Sequence, residues 1–574
     1  MVKFLLGLVT GVILVFLTFI LLFIALVRMR EKPPEISDNS VLVMRLSGDV
    51  PEKPPLELPL FSSDRNAITV ANVWMALRKA AADPHIKAVV VEPDGLDIGW
   101  GKMEEFRGDL EQFRKSGKPL VAYLRMPGTR EYYVSLAADR IYLGPQEPLY
   151  LKGVRAEIPY LKKGLDKLGV VVEVEHAGKY KDFGDMFTRS DMSPETREVT
   201  GSIVDDLYGT LVDRIAAARK KTPDEVRALI DQGPFTATGA LQAGLVDELR
   251  FEDQMFGELR ARLKGGEPNK VSLEKYVKVP AEAAGLGGRN RVALVVAQGD
   301  IVRGSAENDG SEDGELTSYG FDKMLRQAAS DSTVKGLLVR IDSPGGDANA
   351  SDEMWREMNL AAKKKPLVIS MGDVAASGGY YMAMTGDTIV AYPETETGSI
   401  GVVFGKPVIR GLLDKLGINF DGLQRGRNAN IESLDTPLTP EQRDLLRRGI
   451  DESYRDFVTK VANARHRPYN EIEPLAQGRV WLGSQAKARG LVDELGGIDA
   501  ALAVLKKKAG IPAAENVSLV PFPPRRTILD LLLKRSQDDS MVEAKLRPVF
   551  GRIPYHAWLA GGMLRIMPYW IEVK

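Results

Sequence analysis

The strongest constraint on this chain is that it contains itself twice. LDKLG at 165–169 returns at 413–417 and GLVDEL at 244–249 returns at 490–495, offsets of 248 and 246 residues. Weaker matches keep the same register: IKAVVVEPD at 86–94 against VKGLLVRID at 334–342, KPLV at 118–121 against 365–368, and Tyr132-Tyr133 against Tyr380-Tyr381. Chance does not hold five matches within two residues of one offset. Solenoid repeats recur every 20–50 residues or so, so a period this long marks two whole homologous domains.

Within each copy short β-branched runs alternate with amphipathic segments: Lys87 to Val91 precedes Lys102 to Ser116, and Gly336 to Ile341 precedes Ser351 to Lys364. That rhythm predicts βαβ units and a largely parallel sheet, an α/β fold. The copies are expected at 41–265 and 291–510, joined by a linker over 266–290 that includes AAGLGGRN, with a tail over 511–574. Ahead of them, Phe4 to Val27 is free of charge for 24 positions, enough to cross a bilayer as one helix. No small-residue cleavage site follows this run, so residues 1–32 read as a retained transmembrane anchor and 33–40 as a polar, proline-bearing linker. Arg28, Arg30 and Lys32 outweigh Lys3, a count that by itself favours a cytoplasmic body.

Composition removes several classes of function. The 574 residues contain no cysteine, which excludes disulfides, thiol catalysis and cysteine metal sites. Only four histidines occur, His85, His176, His466 and His556, and none forms an HExxH pair, so no metal site is expected. A net charge of −1, from 77 basic and 78 acidic residues, gives no footprint for nucleic acid. No phosphate-binding GxxxxGK[ST] loop is present and no cofactor is indicated.

Comparing the copies locates the chemistry. In DVAASGGYY, 373–381, Ser377 lies between small residues that leave its hydroxyl open and let a strand turn sharply into a helix. Thirty-odd residues upstream, SPGG at 343–346 closes a buried strand and offers glycine N–H groups at a helix start, where a developing negative charge is welcome. The first copy has GLDI at 95–98 instead of SPGG and Thr129 instead of Ser377, so it lacks the same site. A serine nucleophile needs a base. With histidine so scarce, a desolvated lysine is the natural substitute, although spacing alone does not choose among the many lysines. Each motif also has a plainer reading: Ser377 as a helix N-cap, SPGG as a turn, Gly398 to Gly401 as another turn.

Taken together, GKYKDF at 178–183, SPGG at 343–346, AASGGYY at 375–381 and TGSIGV at 397–402 resemble the long, duplicated bacterial form of signal peptide peptidase A. That family comprises membrane-anchored Ser/Lys proteases of the ClpP/crotonase-type fold. The resemblance implies Ser377 as nucleophile, Lys181 as general base, Gly345 and Gly346 as oxyanion donors, and Ser399 beside the lysine amine. The matching stretch of the second copy, RGRNANIES at 425–433, has no lysine, in keeping with one site shared between copies. His176 is the alternative base. The resemblance further implies cleavage of remnant signal peptides or other apolar peptides, ATP-independent since no phosphate-binding loop is present; cleavage is expected at small or apolar residues, leucine among them. It also implies a homotetramer and a single-pass inner-membrane protein whose body lies on the periplasmic side, against the charge count. The competing readings are a crotonase-like acyl-CoA enzyme and a catalytically inactive membrane scaffold.

Overall fold

The computed structural model describes residues 33–54, 68–263, 266–305, 314–522 and 563–567, with the isolated positions Gly11 and Thr18. The expected anchor over 4–27 lies, those two positions apart, outside the described residues. Among the described residues no helix is long and apolar enough to cross a membrane.

The first repeat runs β1 (Ser40–Gly48), α1 (Val70–Ala82), β2 (Ile86–Leu96), α2 (Trp100–Arg114), β3 (Leu120–Leu124), α3 (Thr129–Ser135), β4 (Arg140–Leu143), α4 (Lys162–Leu168), β5 (Val171–Ala177), α5 (Pro194–Arg219), β6 (Glu248–Leu249) and β7 (Asn269–Ser272). Six of these strands form one sheet in the order β6-β4-β3-β2-β1-β7, every pair parallel. Leu42, Met44, Val89, Val91, Ala122 and Leu124 are buried on one face, and Val41, Ala88, Val90 and Val121 on the other. Burial on both faces is why these strands read as continuous apolar runs.

The second repeat follows the same plan with β8 (Asn290–Gln298), β9 (Asp300–Val302), β10 (Glu315–Thr317), α6 (Ser318–Ser330), β11 (Val334–Ser343), β12 (Gly345–Asp347), α7 (Ala348–Ala362), β13 (Leu367–Ala376), α8 (Gly378–Met382), β14 (Thr388–Ala391), β15 (Glu396–Gly398), β16 (Val402–Val408), α9 (Arg410–Leu416), α10 (Pro440–Ala464), β17 (Val480–Leu482), β18 (Glu494–Leu495), α11 (Ile498–Lys508) and β19 (Val517–Phe522). Its sheet is ordered β17-β15-β13-β11-β8-β19, with β14 and β18 branching from β13. The likeness reaches helix starts: Thr69 caps α1 by accepting from the Asn72 N–H, and Thr317 caps α6 by accepting from the Gly320 N–H. A threonine at each start satisfies a donor that the helix itself leaves unpaired.

A third sheet belongs to neither repeat alone. Its order is β10-β9-β12-β20-β16-β5, where β20 is Met563–Ile566 near the carboxyl end. Here β5 of the first repeat pairs antiparallel with β16 of the second, from Ala177 opposite Val402 to Val171 opposite Val408.

Two boundaries differ from those expected. The segment anticipated as linker at 266–290 opens with β7, which pairs with β1, and continues into a short helix, Leu273–Val277. Lys79 fixes that stretch by donating to the carbonyls of Tyr276 at 2.9 Å and Val279 at 2.8 Å. The tail anticipated from 511 likewise supplies β19, which pairs with β8. The tripeptide VSL recurs at these two edge strands, 271–273 and 517–519, an offset of 246 residues.

Buried charge locks the repeats together. The Asp373 carboxylate accepts from the Gly99 N–H at 2.9 Å and the Lys102 N–H at 2.7 Å, capping the start of α2 from the opposite repeat. The Lys102 amine lies 3.0 Å from Asp342 and 3.7 Å from Asp373; burial works against its charge, but the surrounding carboxylates, Asp342 first, outweigh that and hold its proton firmly. Beside it, Arg340 reaches Glu52 at 2.9 Å and Glu105 at 3.4 Å.

Candidate active site

Parallel strands β11 and β13 end side by side, with Ser343 opposite Ala375. SPGG and Ser377 therefore emerge at one sheet edge. A Cβ on Gly379 would lie 2.7 Å from the Ser343 carbonyl oxygen, so the small residues after Ser377 let the two turns touch. Ser377 has φ 53° and ψ −111°, a conformation costly for any residue but glycine. Its N–H donates to the Gly398 carbonyl at 2.8 Å and its carbonyl accepts from the Tyr381 N–H at 2.8 Å, which hold the turn against that strain. Although Ser377 occupies the N-cap position of α8, its side chain makes no capping bond.

The hydroxyl is engaged elsewhere. Lys181 Nζ donates to Ser377 Oγ at 2.7 Å, to Ser399 Oγ at 2.9 Å and to the Ser399 carbonyl at 3.0 Å. All three residues are fully buried. Lys181 follows β5 and Ser399 precedes β16, so the antiparallel pairing of those strands brings the two loops together. Ser399 also has a positive φ, 50°, and its N–H donates to the Arg479 carbonyl at 2.7 Å. The serine from one repeat and the lysine from the other thus meet.

Gly345 and Gly346 form β12. The Gly345 N–H donates to the buried Ser343 Oγ at 3.2 Å, a long bond, and Gly346 pairs with Ile301 of β9. A Cβ on Gly346 would sit 2.0 Å from the Ile301 carbonyl oxygen, so only glycine allows that approach. His176 is exposed, its Nδ1 3.1 Å from the Gly178 carbonyl, and the amine on Ser377 is that of Lys181. Thr129, the counterpart of Ser377, is buried with its hydroxyl unpaired.

Residues 477–479 also build the site, and the sequence reading passed over them. The Gln477 carbonyl accepts from the Tyr180 N–H at 2.7 Å and its side chain from the Lys179 N–H at 3.0 Å. The Gly478 N–H donates to the Ile400 carbonyl at 2.7 Å, so this turn bridges the lysine and serine loops. A Cβ on Gly478 would lie 2.5 Å from the Lys181 nitrogen. Their signal is a Gln-Gly pair at 232–233 and again at 477–478, each about a dozen residues before GLVDEL. Next to the lysine, burial pushes the Asp182 carboxyl up to about 6, opposed by a hydrogen bond from the Thr196 hydroxyl. On β15, burial and then the Asp373 charge push Glu396 up to about 8, which keeps this acid neutral at pH 7.

A buried amine hydrogen-bonded to a strained serine, next to glycine-lined backbone, is an arrangement suited to serine hydrolase chemistry. Residues 112–265 and 359–512 each match the profile of Peptidase family S49, one match per repeat. The chloroplastic serine protease SPPA of Arabidopsis thaliana is 36% identical over 87% of this chain and 73% of its own length. Protease 4 of Salmonella typhi is 33% identical over 87% of this chain and 82% of its own, and Protease 4 of Haemophilus influenzae 30% identical over 85% and 82%. The chain belongs to peptidase family S49 and is a serine peptidase.

Proposed function

We propose that this peptidase cleaves remnant signal peptides and other apolar peptides at the membrane with a Lys181–Ser377 dyad. The observation that carries this reading is the 2.7 Å contact between an amine and a hydroxyl supplied by different repeats. Neutral Lys181 accepts the Ser377 proton along that contact as Oγ attacks the peptide carbonyl. The Gly345 and Gly346 N–H groups stabilise the oxyanion, the former by exchanging its long bond to Ser343 for a stronger, charge-assisted one. Protonated Lys181 then returns the proton to the leaving amine, and water, deprotonated by the same lysine, hydrolyses the acyl-enzyme. Ser399 keeps the amine aimed at Oγ through both steps.

The apolar run at 4–27 would anchor the body beside substrates that partition into the bilayer, on the extracytoplasmic side in this reading. A homotetramer of the ClpP/crotonase-type fold is the assembly the resemblance favours. Active-site labelling with a fluorophosphonate tests the dyad. Wild type should label, Ser377→Ala should not, and Lys181→Ala should label at least about a hundred-fold more slowly. Labelling that survives Ser377→Ala would overturn the assignment.

A further inference from the structure

Lys181 can take a proton from Ser377 only while its loop holds still, because a displacement approaching 1 Å at a reacting group costs on the order of a hundred-fold in rate. The turn at 477–479 grips that loop with more than its backbone. The Arg479 guanidinium stacks over the ring of Tyr180, the residue immediately before Lys181, its carbon 4.9 Å from the ring centre. Its Nη1 also donates to Glu198 of α5. The Tyr180 hydroxyl donates to the same carboxylate, 3.3 and 3.2 Å from the two oxygens. The lysine loop, the long helix of the first repeat and the turn of the second thus close a triangle of side chains.

The same guanidinium lies 4.5 Å from the Trp481 ring on β17, so it contacts two aromatic residues, one from each repeat. The Arg479 side chain is 14% exposed against 49% for Glu198. An ion pair with so well hydrated an acid contributes little by itself. Arginine suits the place because its planar fork pairs with a carboxylate and stacks on rings at once, which an ammonium group does not. The backbone of Arg479 acts in parallel. Its carbonyl accepts from the Ser399 N–H at 2.7 Å, and a Cβ on Gly398 would lie 3.1 Å from that carbonyl oxygen and 3.0 Å from Trp481. Arg479 therefore bears on Lys181 through Tyr180, on Ser399 directly and on Ser377 through Gly398. The first copy has Pro234 after its own Gln-Gly pair, so the repeat that lacks the serine also lacks the arginine.

We propose that Arg479 is a positioning residue for the dyad, its guanidinium clasping Tyr180 to Glu198 so that the Lys181 amine stays on Ser377 Oγ. The proposal rests on the Ser377–Lys181 reading above. Arg479 acts through Tyr180 on the reacting amine, so its loss is felt in kcat and hardly in KM.

The test compares full-length variants by steady-state kinetics on an apolar fluorogenic peptide, by fluorophosphonate labelling and by thermal melting. Arg479→Met should lower kcat and the labelling rate by at least about ten-fold with KM within about two-fold, and Arg479→Lys should fall between it and wild type. In a Tyr180→Leu background the same Arg479→Met change should cost less than about a further two-fold, because the residue it acts through is already gone. Additive losses would overturn the proposal. So would a drop in melting temperature and in the fraction of chains that label, with kcat per labelled site unchanged, the signature of a residue that only stabilises the fold. Glu198 is half-exposed, so Glu198→Gln folds even where Arg479→Met does not. It should lower kcat about three-fold, and an unchanged kcat there also overturns the proposal. Labelling that survives Ser377→Ala defeats the dyad and this proposal with it, whereas Ser377-dependent labelling with kinetically silent Arg479 variants defeats this proposal alone.

Discussion

Ala177 and Val402 are antiparallel partners across the seam between the repeats. Lys181 follows the first by four residues and Ser399 precedes the second by three, so this one pairing delivers the amine to its cradle. Ser377 reaches the same point from β13, whose Ala376 pairs with Gly398. Three loops, each too strained or too buried to stand alone, are held by neighbouring strand ends.

Ser399→Ala removes the 2.9 Å contact to the Lys181 amine and leaves the carbonyl contact at 3.0 Å. A hydrogen bond to a charged partner contributes about 1.5–3 kcal/mol. Steady-state kinetics on a peptide substrate should therefore show kcat lowered by about ten- to a hundred-fold with KM little changed. An unaltered kcat would remove Ser399 from the site.

Gly478→Ala tests how tightly the lysine is placed. The added methyl would press on the Lys181 backbone at a residue with φ +77°. A displacement approaching 1 Å at a reacting group costs on the order of a hundred-fold in rate. Gly417→Ala is the control: its φ is +70° but nothing lies within 4 Å of the new atom. It should cost about 1 kcal/mol of stability and leave kcat/KM unchanged.

Lys102→Met leaves Asp342 and Asp373 facing each other without their cation. Removing one partner from a buried pair destabilises by about 3–5 kcal/mol. Urea unfolding should register that loss. Asp373→Asn, which relieves the repulsion at the cost of one charge, should recover part of it in the double variant.

Asp182 makes stability depend on pH. Its folded pKa of about 6 stands above the ordinary 3.8 because of burial, so the folded chain holds this proton more tightly than the unfolded one. The resulting stabilisation is complete below about pH 4 and is lost as pH rises through about 6. Asp182→Asn, neutral throughout, should be more stable than wild type at pH 8, by up to about 3 kcal/mol, and should lose that advantage at pH 4. Denaturant melts at the two pH values read the difference directly.

Much of the fold was legible because duplication prints the same constraints twice. Buried strands such as IKAVVVEPD and VKGLLVRID need apolar side chains on both faces. Thr69 and Thr317 cap equivalent helices for one local reason. Ser377 stood out because a sharp strand-to-helix turn admits only small neighbours. The edge strands β7 and β19 are not legible in the sequence, since VSL is too short to separate from a linker without knowing what lies next to it. Gln477 and Gly478 were passed over because their work is done by a backbone carbonyl and a missing side chain.

Local chemistry therefore determined the two-copy α/β plan, the sharp turn at Ser377 and the glycine loop, each of which depends on neighbours a few residues away. Spacing left open which amine meets Ser377 and the resemblance named Lys181; the folded chain brings the two together across 196 residues through the pairing of β5 with β16. It also decided that the carboxyl end lies against Gly345 and Gly346. Main-chain pairing of that kind depends on two backbone edges being brought together, and so leaves almost no mark on the residues that take part.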